Sequence, residues 1–467
     1  MSETDVFLFH RDLRLTDNTA LIKLVAQGHR VLPIFIFDPI QIDPKKNAYF
    51  SNPAVQFMCE SLIDLDHQLR KLGTRLHMFY GSNLSVLRSL RKKVPFTSIA
   101  WNEDPSAFAR KRDSAITQWA TSASIEVVTA TDYYLTEPGE GLGPSGQPYK
   151  VLSAFWKWTL KNKPVRNVDT FSFKSKHFHE VSDMGFGVER LKKMYVDMPE
   201  LALHGGRALA LERLKRLSTL KDYAHERDFP AKTNGTSRLS PYLKFGCVSI
   251  REAYWASQDQ AFLRELVFRD FYAKVYAMDA DLQTGKKAVL ADLDARLKWY
   301  KPNDSDAVAA LWKAWTTGNT GFPLVDAGMR ELLATGHQHN RVRMLCASVL
   351  TKYMWIDWRA GAKFYYTHLV DADIFSNTAG WGFCSSTGVD AVPYFRPPFN
   401  PFIQSKKFDP DAEYIKRWVP ELANVSAKDI HKWGEDSKTT KETQYPLPVL
   451  DYKKASADAV RTFKNTL

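Results

Sequence analysis

The sequence predicts an α/β unit with a parallel sheet, joined by a long linker to an all-helical unit. Three observations predict it. Up to about Asp132, short apolar runs alternate with polar, helix-like stretches. A stretch rich in glycine and proline, without any period, follows. Beyond His204 apolar residues recur three and four apart, and no strand pattern of comparable strength is left.

The first unit (1–133) carries five apolar runs: VFLFH (6–10), VLPIFIF (31–37), RLHMFY (75–80), SIAWN (98–102) and IEVVTA (125–130). Their spacing leaves room for a helical crossover between strands, and their continuity suits strands covered on both faces. Asp38-Pro39 stops the second run. The pattern is Rossmann-like but lacks the dinucleotide fingerprint, because HRDLRLTDN follows the first strand instead of GxGxxG. Arg11, Asp12, Arg14 and Asp17 are expected to pair with one another at the sheet edge. TEPGEGLGPSGQPY (136–149) opens an irregular linker spanning 134–203. From 204 to 467, segments such as RALALERLKRLSTL, VDAGMRELLATG and VRMLCASVLTKYMW read as amphipathic or buried helices.

At 467 residues the chain exceeds one ordinary core. Its longest apolar run, Val31 to Phe37, is too short to cross a bilayer. MSETDVF lacks the basic and apolar regions of a secretory leader, and the four scattered cysteines form no CxxC. A reducing compartment inside the cell, cytoplasm or nucleus, is therefore expected, without zinc or disulfides. The net charge of +12 suits a polyanionic partner, nucleic acid or an anionic membrane, as well as simple solubility.

Four segments carry candidate chemistry. In NGTSRLSPYLKFG (234–246), Thr236, Ser237 and Ser240 surround a helix start with Pro241, suited to an ordinary cap or to a phosphate cradle. In FLRELVFRDFY (262–272), Glu265 and Arg269 stand four apart, expected to face each other on a buried helix. GHQHNRVRM (336–344) gathers His337, His339, Asn340, Arg341 and Arg343, with histidines two apart and so unsuited to one metal on one helix face. Finally, DADIFSNTAGWGF (371–383) leaves open a metal, an acid/base pair or a helix cap.

FLFHRDLRLTDN, SGQPYKVLSAFWKW, RDFPAKTNGTSRLSPYLKFG, TGFPLVDAGMREL, HNRVRM, IDWR, DADIFSNTAGW and STGVDAVPYFRPPFNP occur in this order. Together they resemble the photolyase/cryptochrome flavoproteins over nearly the whole chain, most closely the class I cyclobutane pyrimidine dimer photolyases. The resemblance implies FAD, active as FADH⁻, in the helical unit, and light-driven electron transfer that splits dimers in UV-damaged DNA. The alternative on the same fold is a cryptochrome-type signalling protein.

Carried over motif by motif, Tyr223, Thr236, Ser237, Leu239 and Ser240 would hold the phosphates and ribityl chain. Arg269, Asn340, Arg343, Asp371, Asp373 and Asn377 would surround the isoalloxazine, with Arg343 paired to Asp371 and no metal. Asn377 would lie at the flavin N5, where an amide accepts a hydrogen bond but supplies no proton, which favours repair over signalling. Trp381, Trp358 and Trp299 match the family's electron relay, with Trp312 and Trp315 as rivals for the third place. Glu265, Asn340 and Met344 would meet the dimer. Arg227, Arg341 and Arg396, with Lys406 and Lys407, would meet phosphates. His339-Asn340 favours the cyclobutane substrate over the (6-4) lesion, and His337 departs from the family's usual Trp. Phe268 and Phe383 stand where dimer photolyases usually place tryptophans, so weaker lesion stacking is expected. Phe108-Ala109 replace the Asn-Glu pair of folate binders ahead of Arg110 to Asp113, so an antenna would be a deazaflavin or a flavin rather than folate, or absent. A monomer is expected.

Overall fold

The computed structural model describes residues 4–179, 184–218, 220, 222–393, 396–435, 440 and 442–466. Residues 180–183 of the expected linker, and Tyr394 and Phe395 of STGVDAVPYFRPPFNP, lie outside this set. All five apolar runs form strands: β1 (Thr4–Phe9), β2 (Arg30–Phe37), β3 (His77–Tyr80), β4 (Phe96–Glu103) and β5 (Glu126–Thr131). They pair in parallel, in the order β3-β2-β1-β4-β5. The order reverses at β1, between β2 and β4, and in such sheets the crevice at the carboxyl ends of these strands is where ligands bind.

The segment after β5 is more ordered than its composition suggests. Leu152–Asn162 is a helix, and the following chain bridges back to the sheet, Phe178 on Val31 and Phe186 on Met78. From Arg207 onward the described elements are helices. The long apolar segment 251–277 divides into Ile250–Trp255 and Gln260–Tyr276 because Asp259 caps the second helix on Phe262 N. VRMLCASVLTKYMW forms the helix Asn340–Ser348 and then a wider π turn, Val349–Tyr353.

Buried charges join the sheet unit to the helices. Arg251 pairs with Asp17 and Asp132, and Arg14 pairs with Asp132. The expected local pairing among Arg11, Asp12, Arg14 and Asp17 is therefore wrong. Arg11 reaches Asp104 and Asp373, and Asp12 accepts from Asn102 and Asn18. The sheet edge is covered by the helical unit, so these groups are desolvated and take whichever opposite charge the covering element brings. Gly246 permits the cover: its φ is +67°, and a methyl group there would overlap the carbonyl of Arg11.

Candidate functional site

The segments that meet around a cavity of about 520 Å³ include residues 223–227, the loop and short helix around Ser240, the Gln260–Tyr276 helix, the Asn340–Ser348 helix, the Leu369–Asp373 turn and the Ile374–Ser385 helix. Its lining includes Glu265, Asn340, Met344, Asn377 and Trp381. It also includes Tyr223, Ser237, Leu239, Ser240, Arg269, Arg343, Asp371 and Asp373, together with Arg227, Phe268, Arg341 and Phe383. Of the residues singled out from the sequence, Thr236, Trp358, Trp299, Trp312, Trp315, His337, His339, Arg396, Lys406 and Lys407 are among those that lie outside this lining. Arg396 and Lys406 are exposed, Arg396 just before the helix Pro401–Phe408 and Lys406 on it.

The two acids of the Asp371–Asp373 turn have different tasks. Arg343 grips Asp371 with two parallel bonds, 3.1 and 3.0 Å, and Ser240 Oγ donates to the same carboxylate at 2.6 Å. Burial alone would raise its pKa, but these partners hold it below the usual carboxylate range. Asp373 caps the Ile374–Ser385 helix through Phe375 N and Ser376 N, and its other oxygen binds Arg11 at 2.5 Å and Tyr133 Oη at 3.1 Å. Burial again opposes charge, yet Arg11 and Arg269 bring the Asp373 pKa down to about 2. Among the described residues no group of three or more potential ligands suits a metal.

One of the two alternatives at Ser240 and one expected pairing fail here. Ser240 does not make an ordinary cap: the Ser240–Lys244 helix has no side-chain cap, and the Ser240 hydroxyl turns to Asp371. Glu265 does not face Arg269 either. It pairs with Arg227, while Arg269 donates to the Tyr133 carbonyl at 2.8 Å and lies over the Tyr133 ring. A helical spacing of four permits a pair but does not enforce it when a nearer partner comes from another element.

Asn377 donates from Nδ2 to the Ala362 carbonyl at 2.9 Å, which leaves its amide oxygen as the acceptor for a ligand. Trp381 is buried against the Trp358–His368 helix at Gly361, where an added methyl group would overlap the indole. One turn away, Trp358 Nε1 donates to Asp294 Oδ1 at 3.1 Å, and Trp299 Nε1 donates to the same oxygen at 3.0 Å. A second file of indoles also touches Trp381: Trp315 at 6.0 Å between ring centroids, then Trp312 at 5.5 Å. His337 is buried on Glu331 at 3.2 Å, in the loop that leads to Asn340.

A second cavity of about 430 Å³ opens at the carboxyl ends of the strands, lined by His10, Asp38, Asn83 and Asp104 and walled by Phe108 and Ala109. Lys244, Ala372, Asp373 and Asn377 line both cavities, and Trp358 lines the second. Sequence reasoning passed over Lys244. Its ammonium lies 4.6 Å from the Phe245 ring and has no hydrogen bond or ion pair among the described residues. Burial and Arg11 bring its pKa down to about 7, against the pull of Asp371 and Asp373. A lysine within the otherwise apolar run PYLKFG was the available signal.

A dinucleotide that joins a flat ring to a charged diphosphate needs an apolar lining and a polar, cationic one. The larger cavity has both, with Leu243, Leu266 and Leu369 beside Ser237, Ser240, Lys244 and Arg343, and its size is that of a cofactor site. Residues 5–170 match DNA photolyase, and residues 262–465 match the FAD binding domain of DNA photolyase. A deoxyribodipyrimidine photo-lyase of Alkalihalophilus pseudofirmus is 36% identical, over 98% of this chain and 97% of that one. The chain belongs to the DNA photolyase family. Among solved members of that family, an archaeal photolyase from Sulfolobus tokodaii with two FAD molecules superposes with a TM-score of 0.86 at 35% identity, over 99% of this chain and all of that one. A class III photolyase from Agrobacterium tumefaciens gives 0.88 at 32%, over 100% and 98%. A Synechocystis cryptochrome gives 0.87 at 25%, over 100% and 99%. The fold is thus shared by photolyases and a cryptochrome. No described helix is long and apolar enough to cross a membrane.

Proposed function

We propose that the protein splits cyclobutane pyrimidine dimers in UV-damaged DNA by light, with FAD in the larger cavity. The observation that carries this reading is the set of groups gathered in that single cavity: Ser240, Arg343, Asp371 and Asn377 line it together with Glu265, Asn340 and Met344, and with Phe268, Phe383, Arg227 and Arg341. The bound flavin supplies light absorption and a reversible one-electron transfer.

The chain supplies binding, orientation and shelter from water. Tyr223, Thr236, Ser237, Leu239 and Ser240 hold the cofactor's phosphates and chain, and Arg269, Arg343, Asp371 and Asp373 surround its ring. Asn377 presents an oxygen there and no acidic proton, which supports repair over signalling. A dimer flipped out of the duplex meets Glu265 and Asn340 at its polar edges and Met344 at its apolar face. Phe268 and Phe383 flank it, while Arg227, Arg341, Arg396 and Lys406 bind the neighbouring phosphates. Trp381, Trp358 and Trp299 form a path of indoles outward, supported by the Asp294 oxygen that the last two share. The second cavity, in the 1–133 unit and its contact with the 204–467 unit across the 134–203 linker, is the antenna site. The wall formed by Phe108 and Ala109 supports a deazaflavin or flavin there over folate. The protein works as a monomer in a reducing compartment.

Reduced protein mixed with dimer-bearing DNA is expected to remove dimers under blue light and not in the dark. Binding without light-dependent loss would overturn the enzyme reading and leave the signalling one.

A further inference from the structure

Two arginines at the cavity rim are assigned to DNA phosphates, and each is already held by a carboxylate. Arg227 pairs with Glu265, and Arg341 donates to Asp228 Oδ1 at 2.5 Å. Arg227 and Asp228 are chain neighbours at the end of the short helix Tyr223–Glu226. This dipeptide therefore serves both pairs: its cation holds the carboxylate of the Gln260–Tyr276 helix, and its carboxylate holds the first-turn cation of the Asn340–Ser348 helix. The four charges alternate and cancel. Arg341 is fixed further by the Phe408 ring, 4.4 Å from its guanidinium carbon. These two pairs thus add no net charge to the rim that undamaged DNA meets.

Both pairs are partly exposed, with side chains 21% to 35% accessible, so a phosphate can reach them. A phosphate that takes Arg227 strands Glu265 unless Glu265 gains another donor. The pairing edge of a flipped thymine offers such a donor in its imide N–H, whereas a stacked, undamaged base keeps that N–H in its base pair. We propose that Asp228 and Glu265 restrain phosphate binding at the rim: each occupies an arginine, and a lesion that engages Glu265 releases Arg227 alone. Asp228 touches no reacting atom and acts through Arg341, as a positioning residue. The inference rests on the repair reading above.

The test is equilibrium binding in the dark of the FAD-loaded protein to one duplex with and without a dimer, over a range of salt. Asp228→Asn is expected to tighten binding to undamaged DNA roughly three- to tenfold and to steepen its log K against log salt slope by nearly 0.9, the increment for one added phosphate contact. Binding to the dimer duplex tightens as well, because a lesion that engages Glu265 gives Asp228 no replacement for Arg341. Asp228→Glu restores the restraint, and in an Arg341→Gln background Asp228→Asn has no effect. Changes in affinity with unaltered slopes, or no change on either DNA, would make the pair merely structural and overturn the proposal. A parent protein that does not discriminate the dimer duplex overturns instead the repair reading on which it rests.

Discussion

Asp373→Asn isolates the charge that ties the sheet unit to the flavin cavity. Asparagine caps a helix about as well as aspartate, so the bonds to Phe375 N and Ser376 N survive, while the attraction to Arg11 and Arg269 is lost together with the acceptor for Arg11 and Tyr133 Oη. The Asp373 pKa stands at about 2 against an ordinary 3.8. At about 1.36 kcal/mol per unit, that drop of nearly two units contributes about 2.5 kcal/mol to stability. Breaking a buried pair outright costs about 3–5 kcal/mol, and the smaller figure is reasonable because Arg11 keeps Asp104. The folded-state pKa is depressed, so the contribution is complete above about pH 5 and fades as pH falls through 3.8 toward 2. Urea unfolding of both proteins, with flavin present, is followed through its first cooperative transition at pH 7, 5, 4 and 3. The variant is expected to trail the parent by about 2 kcal/mol at pH 7, and the gap to close on acidification. Other carboxylates with depressed pKa, such as Asp132 and Glu331, titrate in both proteins and cancel. A gap that persists unchanged to pH 3 would place the loss in packing, and no gap at pH 7 would mean Asp104 alone satisfies Arg11.

Gly361→Ala gains about 1 kcal/mol of helix propensity but drives a methyl group into Trp381 and Leu350. Overpacking costs about 1–3 kcal/mol, so a lower melting temperature is expected, and a rise would show that the Trp381 contact is loose. Trp381→Phe is expected to abolish photoreduction of the oxidised flavin while chemically reduced protein still repairs; unchanged photoreduction would exclude Trp381 from the relay. Phe268→Trp and Phe383→Trp enlarge the aromatic surface at the rim, and a gain of about 1 kcal/mol, roughly fivefold in dimer-DNA affinity, is expected from stacking. No gain in either variant would show that phenyl rings already suffice.

The break that Asp259 makes before the Gln260–Tyr276 helix was not legible in the sequence, whereas the five strands and the motifs around Ser240, Arg343 and Asn377 were. Each depends on local period, local turn chemistry or a fixed order of side chains along the chain. The partners of the charges were not legible. Glu265 had Arg269 one helical turn away and took Arg227; Arg11 had Asp12 beside it and took Asp104 and Asp373. Lys244 gave little sign that it would stand in the wall shared by two cavities. The sequence by itself determined which elements form and which chemistry they carry. Tertiary structure alone decided which charges meet, because pairing depends on distance and desolvation, and both are created only when distant segments pack.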